Sequence, residues 1–304
     1  MSDATSVVLE REAKAAAADA ATEARREVLE RAEPKTPVAP KPIVNVRQKP
    51  KRPEWTQFMV SVWLTDFNSV EFGLFKRSRN RAKSRQFTTD MDIFAEVIEG
   101  GERSALIGYR EQQWTKAKDM DKRLVLKMFS PSLNWRATMD MMLGRSLQQT
   151  MGARGLPVTS YSINTNEHDQ IIYLERSANH WTGLPENFSF FLVEPSGEIE
   201  FFRIRNKFIR FGMDYIVYNE RNEKVAVLDG AFFTITGKWK VRVRSDYKDK
   251  RLHTTLKLFC AMLLFNGEAK RHLKRIYRDV IDGRYSPVLE RLETDLYMNP
   301  RRVR

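Results

Sequence analysis

From residue 170 to 244 the chain repeats one pattern, a short segment of alternating apolar and polar residues followed by a polar turn. The segments QIIYLER, NFSFFLVE, EIEFFRIRNKFIRF, DYIVYNE, KVAVLDG, AFFTIT and KWKVRVR are rich in β-branched and aromatic residues. Gly, Pro, Asn and Ser fall between them. Period-two alternation broken by turn chemistry predicts an antiparallel meander. Upstream the same signal recurs at wider spacing. Trp55 to Phe75 reads as a hairpin turning at Asp66 to Ser69. Met91 to Ile98 and Ser104 to Gln112 read as a second, joined by the turn composition Glu99-Gly100-Gly101-Glu102. Leu124 to Phe129 reads as one more strand.

Two stretches depart from period two. Between Ser132 and Met151 the residues Trp135, Met139, Met142, Leu143 and Leu147 recur at helical spacing, which predicts a helix. Met151 to Ser160, with Gly152, Gly155 and Pro157, reads as a loop. The other stretch is LKLFCAMLLF, Leu256 to Phe265, apolar everywhere except Lys257. A helix without a polar face must be enclosed on all sides. Ten residues rise only about 15 Å, half of a roughly 30 Å hydrocarbon core, so a rod buried in protein is expected rather than a membrane span. Thr254 or Thr255 is placed to cap its start and Asn266-Gly267 to stop it, giving a central helix over 254–266 wrapped by strands. Beyond it, Ala269 to Ile281 and Pro287 to Tyr297 read as basic amphipathic helices, the first packed on the outside of the strand wall.

The first 53 residues are different in kind. Val8 to Arg31 is Ala-, Glu- and Arg-rich and helical by propensity, but carries few large apolar residues. Pro34, Pro37, Pro40, Pro42, Pro50 and Pro53 then enforce an extended linker. Three regions follow: a disordered or helical tail over 1–53, a folded body over 54–267, and a basic helical extension over 268–304.

Charge adds a partner class. Among 304 residues, 52 Lys and Arg outweigh 39 Asp and Glu, a formal charge of +13, which suits an anionic lipid surface, nucleic acid or an acidic protein. Three sets of cations stand out. Lys76, Arg77, Arg79, Arg81, Lys83 and Arg85 form a run without an acid; Arg203, Arg205 and Lys207 alternate with Ile204 and Phe208; Lys238, Lys240, Arg242 and Arg244 alternate with Trp239, Val241 and Val243. Side chains alternate across a strand, so each of the last two sets points to one side, away from the core. Such a face serves either as a solvated surface that discourages edge pairing or as an anion-binding surface. The run over 76–85 has no interleaved aromatics, so base stacking is not suggested.

Catalytic patterns are not evident. His168, His180, His253 and His272 lack metal-ligand spacing, and no Gly-x-Ser-x-Gly elbow or Cys-x-x-Cys pair occurs. Cys260, the single cysteine, lies inside the apolar rod, so no intramolecular disulfide forms and a reducing compartment is expected. The expectation is a cytoplasmic, non-enzymatic protein without metal or cofactor, peripheral to a membrane.

The run FFRIRNKFIRFGMDYIVYNERNEKVAVLDGAFFTITGKWKVRVRSDYKDKRLHTTLKLFCAMLLFNG resembles the tubby C-terminal-like superfamily, in its LURP-one-related and phospholipid-scramblase-like branch. The resemblance rests on the strand unit ending at Gly230, on the aromatic pair and Gly turn of GAFFTITGKWKVRV, and on the apolar helix that closes the unit; it covers residues 200–267. It implies a mainly β fold of α+β type: a closed antiparallel barrel of about twelve strands around a buried hydrophobic C-terminal helix, with peripheral helices. Tubby-type domains bind phosphoinositides through basic side chains, which implies a phospholipid partner here, with a protein partner for the N-terminal tail. Scramblase activity does not follow, because the cysteine-rich lipidation segment and an acidic calcium loop have no counterpart. The other reading of the charge is a scaffold or RNA-contacting subunit of a larger assembly.

Overall fold

The computed structural model describes residues 54–62, 85–178, 186–194, 196–207, 214–230, 237–288 and 293. The expected tail over 1–53, most of the basic run over 76–85, AFFTIT and the C-terminal arginines lie outside them. Twelve antiparallel strands form a closed barrel in which each strand pairs with its neighbours in sequence and β12 pairs back onto β1. They are β1 (Trp55–Val62), β2 (Met91–Glu99), β3 (Glu102–Arg110), β4 (Val125–Phe129), β5 (Trp135–Met141), β6 (Ser160–Thr165), β7 (Ile172–Arg176), β8 (Asn187–Val193), β9 (Ile199–Asn206), β10 (Tyr215–Tyr218), β11 (Lys224–Gly230) and β12 (Lys238–Arg244). Among the described residues two α-helices accompany them, α1 (Leu143–Gly152) and α2 (Lys250–Ile281), with a short π-turn at Gln112–Lys116 and a 3-10 turn at Asp119–Asp121.

A twelve-strand barrel is wider than the eight-strand kind that its own side chains fill. Here α2 supplies the filling. Leu258, Phe259, Cys260, Ala261 and Met262 are all fully buried, and five consecutive helical residues at 100° each face every direction, so this part of the rod is enclosed all round. Phe259 meets Phe188 of β8 and Tyr215 of β10 at ring separations of 5.0 and 5.3 Å. Six residues on, Phe265 meets Phe94, Tyr109 and Trp114. The apolar members of β12 (Trp239, Val241, Val243) and of β10 (Tyr215, Val217) face this same core.

Four expectations need correction. First, Trp135–Met141 is a strand, and the helix begins only at Leu143. Ala137, Met139 and Met141 are buried at period two, and β4 and β6 supply ladders on both edges, which outweighs the helical spacing of the large residues. Second, the two edges of β1 are taken by β2 and β12, which leaves neither for a hairpin partner; the turn expected at Asp66 to Ser69 and the arm up to Phe75 lie outside the described residues. Third, the loop expected over Met151 to Ser160 is shorter at both ends, because α1 runs to Gly152 and strand β6, SYSINT, begins at Ser160. Fourth, α2 starts at Lys250, where the Asp249 carboxylate accepts from the Arg251 amide at 2.7 Å, and runs straight through Asn266-Gly267. Asn266 donates its side-chain amide to Glu186 at 2.9 Å, so the buried partner holds it in helical register. Ala269–Ile281 is therefore the second half of the same rod and not a separate outer helix. Leu264 is already 42% exposed where the rod leaves the barrel.

Outside the barrel the rod packs against α1. Ala269, Leu273 and Ile276 are buried, the His272 ring meets the Asp119 carbonyl at 3.0 Å, and Lys122 pairs with Glu268 at 2.7 Å. Met142, in the capping position just before α1, has no side-chain acceptor for the free amides of the first turn. Glu293 supplies one: its carboxylate accepts from the Gly144 and Arg145 amides at 2.9 and 3.0 Å. Of the helix expected over Pro287 to Tyr297, only Pro287, Val288 and Glu293 are among the described residues.

Candidate anion-binding surface

The alternation read from the sequence sets the geometry of the basic strands. In β12 Lys238, Lys240 and Arg242 are exposed while Trp239, Val241 and Val243 are buried; in β9 Arg205 is exposed and Phe202 and Ile204 are buried. Pairing then brings the two sets to one side of the barrel. Arg205 lies opposite Ile216 of β10, Ile216 opposite Val227 of β11, Val227 opposite Arg242 of β12, and Arg242 opposite Gln57 of β1. With strands about 4.8 Å apart, Arg205 and Arg242 stand roughly 14 Å from each other across a partly exposed apolar pair, Ile216 and Val227.

The seven cations of these strands are not equivalent. Arg244 is taken up locally: it pairs with Asp246 and, at 3.8 Å, with Glu223, and lies over the Tyr247 ring. The Asp246 carboxylate accordingly sits below the usual carboxylate range, the hydrogen bond from Arg244 outweighing its slight burial. Arg203 donates to Asn222. By contrast, among the described residues no ion pair reaches Arg205, Lys207, Lys238, Lys240 or Arg242, although Asp229 stands opposite Lys240 in the ladder. Of these five, Arg205, Lys238, Lys240 and Arg242 are exposed and Lys207 is half-buried. Arg85 is exposed beside Gln86, whose carbonyl and side-chain oxygens receive the Lys127 ammonium of β4. That places it several strands away from β9 and β12, so the structure does not join it to the other two sets. Lys76, Arg77, Arg79, Arg81 and Lys83 lie outside the described residues.

Sequence reasoning missed the apolar flank of this surface. On the outer side of β8 and β9, Phe191 pairs with Phe201 and Val193 with Ile199, and Phe191, Val193 and Ile199 are 45%, 36% and 64% exposed. A signal was present, since NFSFFLVE puts apolar residues at both alternation phases, one of which must face outward. The patch runs directly into Arg203 and Arg205 on the same strand face.

At the adjoining barrel end the charges are of mixed sign and largely satisfied. Arg251, at the start of α2, donates to Asp249, to Glu194 at 2.7 Å and to the Val193 carbonyl at 2.7 Å, so it ties the rod to the β8–β9 hairpin. Burial, then the neighbouring Glu194, Glu220 and Asp249, push the Glu200 carboxyl up. The acidic neighbours that raise Glu200 disfavour an external anion beside it. No protein-family model, curated protein or solved structure matches this chain.

Proposed function

We propose that this is a non-enzymatic barrel protein of the cytoplasm that docks on anionic phospholipid surfaces through the outer faces of β8 to β12. One observation carries the reading: Arg205, Lys238, Lys240 and Arg242 share a side of the barrel with the exposed apolar residues Phe191, Val193 and Ile199. Cations near an anionic leaflet contribute about 1 kcal/mol each, and apolar side chains entering the interface add the part that salt does not screen. A surface merely kept soluble by its charge has no need of three exposed apolar side chains next to it. The resemblance of residues 200–267 to tubby-type domains points the same way.

The test is co-sedimentation with vesicles containing phosphatidylserine or a phosphoinositide, over a salt series. Binding that needs the anionic lipid and weakens with salt is expected. Reversing charge in Arg205→Glu/Lys240→Glu/Arg242→Glu is expected to reduce it at least tenfold, and Phe191→Ser/Ile199→Ser to raise its salt sensitivity. Unchanged binding in both variants, or none at low salt, overturns the reading in favour of a scaffold role in a larger assembly.

A further inference from the structure

The barrel end at which α2 begins holds a cavity of about 560 Å³ that the lateral basic face does not include. Its wall comes from β1 to β6, from the segment after β12 and from the first two turns of α2. Four cations face it besides the fully engaged Arg251: Arg136, Lys248, Lys250 and Lys257. Two carboxylates oppose them. Glu167 is shared by Lys250 at 3.1 Å and Arg136 at 3.6 Å, and Glu99 is held by Lys257 at 2.6 Å. Lys248 is exposed and has no ion pair among the described residues. The cavity therefore carries two uncompensated positive charges. Among the polar members of the wall, Thr56, Ser104 and Ser245 already donate their hydroxyls to the Val243, Val97 and Glu54 carbonyls and keep only acceptor lone pairs for a ligand, while Thr254 and Asn166 bring a further hydroxyl and a side-chain amide. Ala105, Met128 and the rings of Tyr247, His168 and His253 complete the lining, so apolar and polar surface contribute about equally and a ligand needs C–H faces beside its charged end. Cavities of 300–1,000 Å³ with convergent polar groups suit small molecules.

We propose that this cavity binds a soluble, polyhydroxylated small anion of the sugar-phosphate class. Lys248, Lys250 and Arg136 take the phosphate oxygens, with Arg136 and Lys250 turning from the shared Glu167 towards the ligand. Arg presents a planar fork suited to two phosphate oxygens, and the lysines add flexible point charges. Glu167, thus released, and the hydroxyl-bearing wall accept and donate to the sugar hydroxyls. Lys257 stays on Glu99 and keeps the floor of the site in shape; its ammonium also lies 5.3 Å from the centre of the Phe58 ring.

The experiment is calorimetric titration of the full-length protein at low salt with fructose 1,6-bisphosphate and with inorganic pyrophosphate, fructose serving as the uncharged control. Saturable binding of the bisphosphate, at least tenfold tighter than pyrophosphate and with none for fructose, is expected. Lys248→Glu/Lys250→Glu, at exposed positions that the fold does not need, is expected to weaken it at least tenfold, and Arg136→Gln separately by several-fold. The lateral variant Lys240→Glu/Arg242→Glu is expected to keep it. Absence of saturable binding, equal binding to the mouth variants, or loss in the lateral variant overturns the proposal. Vesicle binding measured on the same variants separates this site from membrane docking: a cavity for a soluble ligand leaves co-sedimentation of Lys248→Glu/Lys250→Glu unchanged, whereas parallel loss of both assigns the phosphate chemistry to a lipid headgroup and overturns the soluble-ligand proposal.

Discussion

Gly155 shows how a single residue joins two parts of this fold. Its φ is +82°, and a Cβ there would stand 2.6 Å from the Tyr277 ring of α2. Gly155→Ala therefore meets both a left-handed backbone and a clash, and is expected to cost about 2–3 kcal/mol in urea unfolding. Tyr277→Ala in the same background is expected to recover only part of it, since the backbone strain remains. Lys127 gives a second residue-scale prediction. It is only 7% exposed, and burial, then the nearby Arg110, lower its ammonium from 10.5 to about 8. Below about 8 the folded and unfolded states both hold the proton, and the buried charge is a cost. Between about 8 and 10.5 the unfolded state holds more protons, so stability rises with pH through that window, by about 3 kcal/mol for this group. Lys127→Met is expected to lose that rise and to be the more stable protein at pH 7, less whatever Gln86 forfeits as a partner; a flat difference from wild type across pH 7–11 contradicts it. Neither effect is visible in sequence. A glycine in a presumed loop carries no sign of the helix it faces more than a hundred residues later, and Lys127 looks like any lysine in a strand.

At the level of elements, legibility followed the strength of the local pattern. Strands with clean alternation, such as KWKVRVR, and the turn at Glu99 to Glu102 are plain from the sequence because the core sits on one side of them. So is the apolar rod, whose uniform composition admits only enclosure. The errors fall where a tertiary partner outweighs the local signal. Met-rich β5 becomes a strand because two ladders await it, and Asn266-Gly267 fails to stop α2 because Glu186 takes the Asn266 amide. Glu186 also receives Arg176 at 2.5 Å and Lys270 at 2.9 Å. Burial alone would raise its carboxyl, but Lys270 and Arg176 hold it below the usual range. The start of α1 is a further case. A helix led by Met142 lacks a local cap, and its capping carboxylate comes from Glu293, 149 residues away. Glu293→Ala is expected to cost about 1–2 kcal/mol, as other lost caps do, and to increase hydrogen exchange at Gly144 and Arg145 ahead of the barrel amides. Glu293→Asp, too short to reach both amides, is expected to fall between. Equal exchange in wild type and variant rules the cap out.

For the whole molecule, closure makes the parts interdependent. β1 and β12 pair across almost the full length of the described chain, from Trp55↔Arg244 to Ser61↔Lys238, so the barrel closes only once its two ends meet. The rod inside cannot be solvated without breaking that closure, and the cations on β9 and β12 share a face only while the ladder between them is intact. The candidate surface is thus a property of the closed barrel, which is why sequence could name its residues but not show that the sets of β9 and β12 converge. Cys260 offers a direct probe of closure. It is fully buried in the middle of the rod, and burial pushes its thiol up, so both access and ionisation oppose reaction in the folded state. If the barrel opens only as a unit, labelling by an aromatic disulfide reagent must wait for global unfolding, and its slow limit tracks the unfolding equilibrium. The expected result is labelling at least a thousandfold slower in buffer than in guanidinium, with the same denaturant dependence as the loss of tryptophan signal. Weakening closure through Val241→Ala, in the inward row of β12, is expected to speed labelling and lower the unfolding midpoint together. Fast labelling in buffer, or a Val241→Ala protein that labels faster without unfolding more easily, would mean that the rod slips out of a barrel that stays closed, and the lateral surface would then not depend on the helix at all.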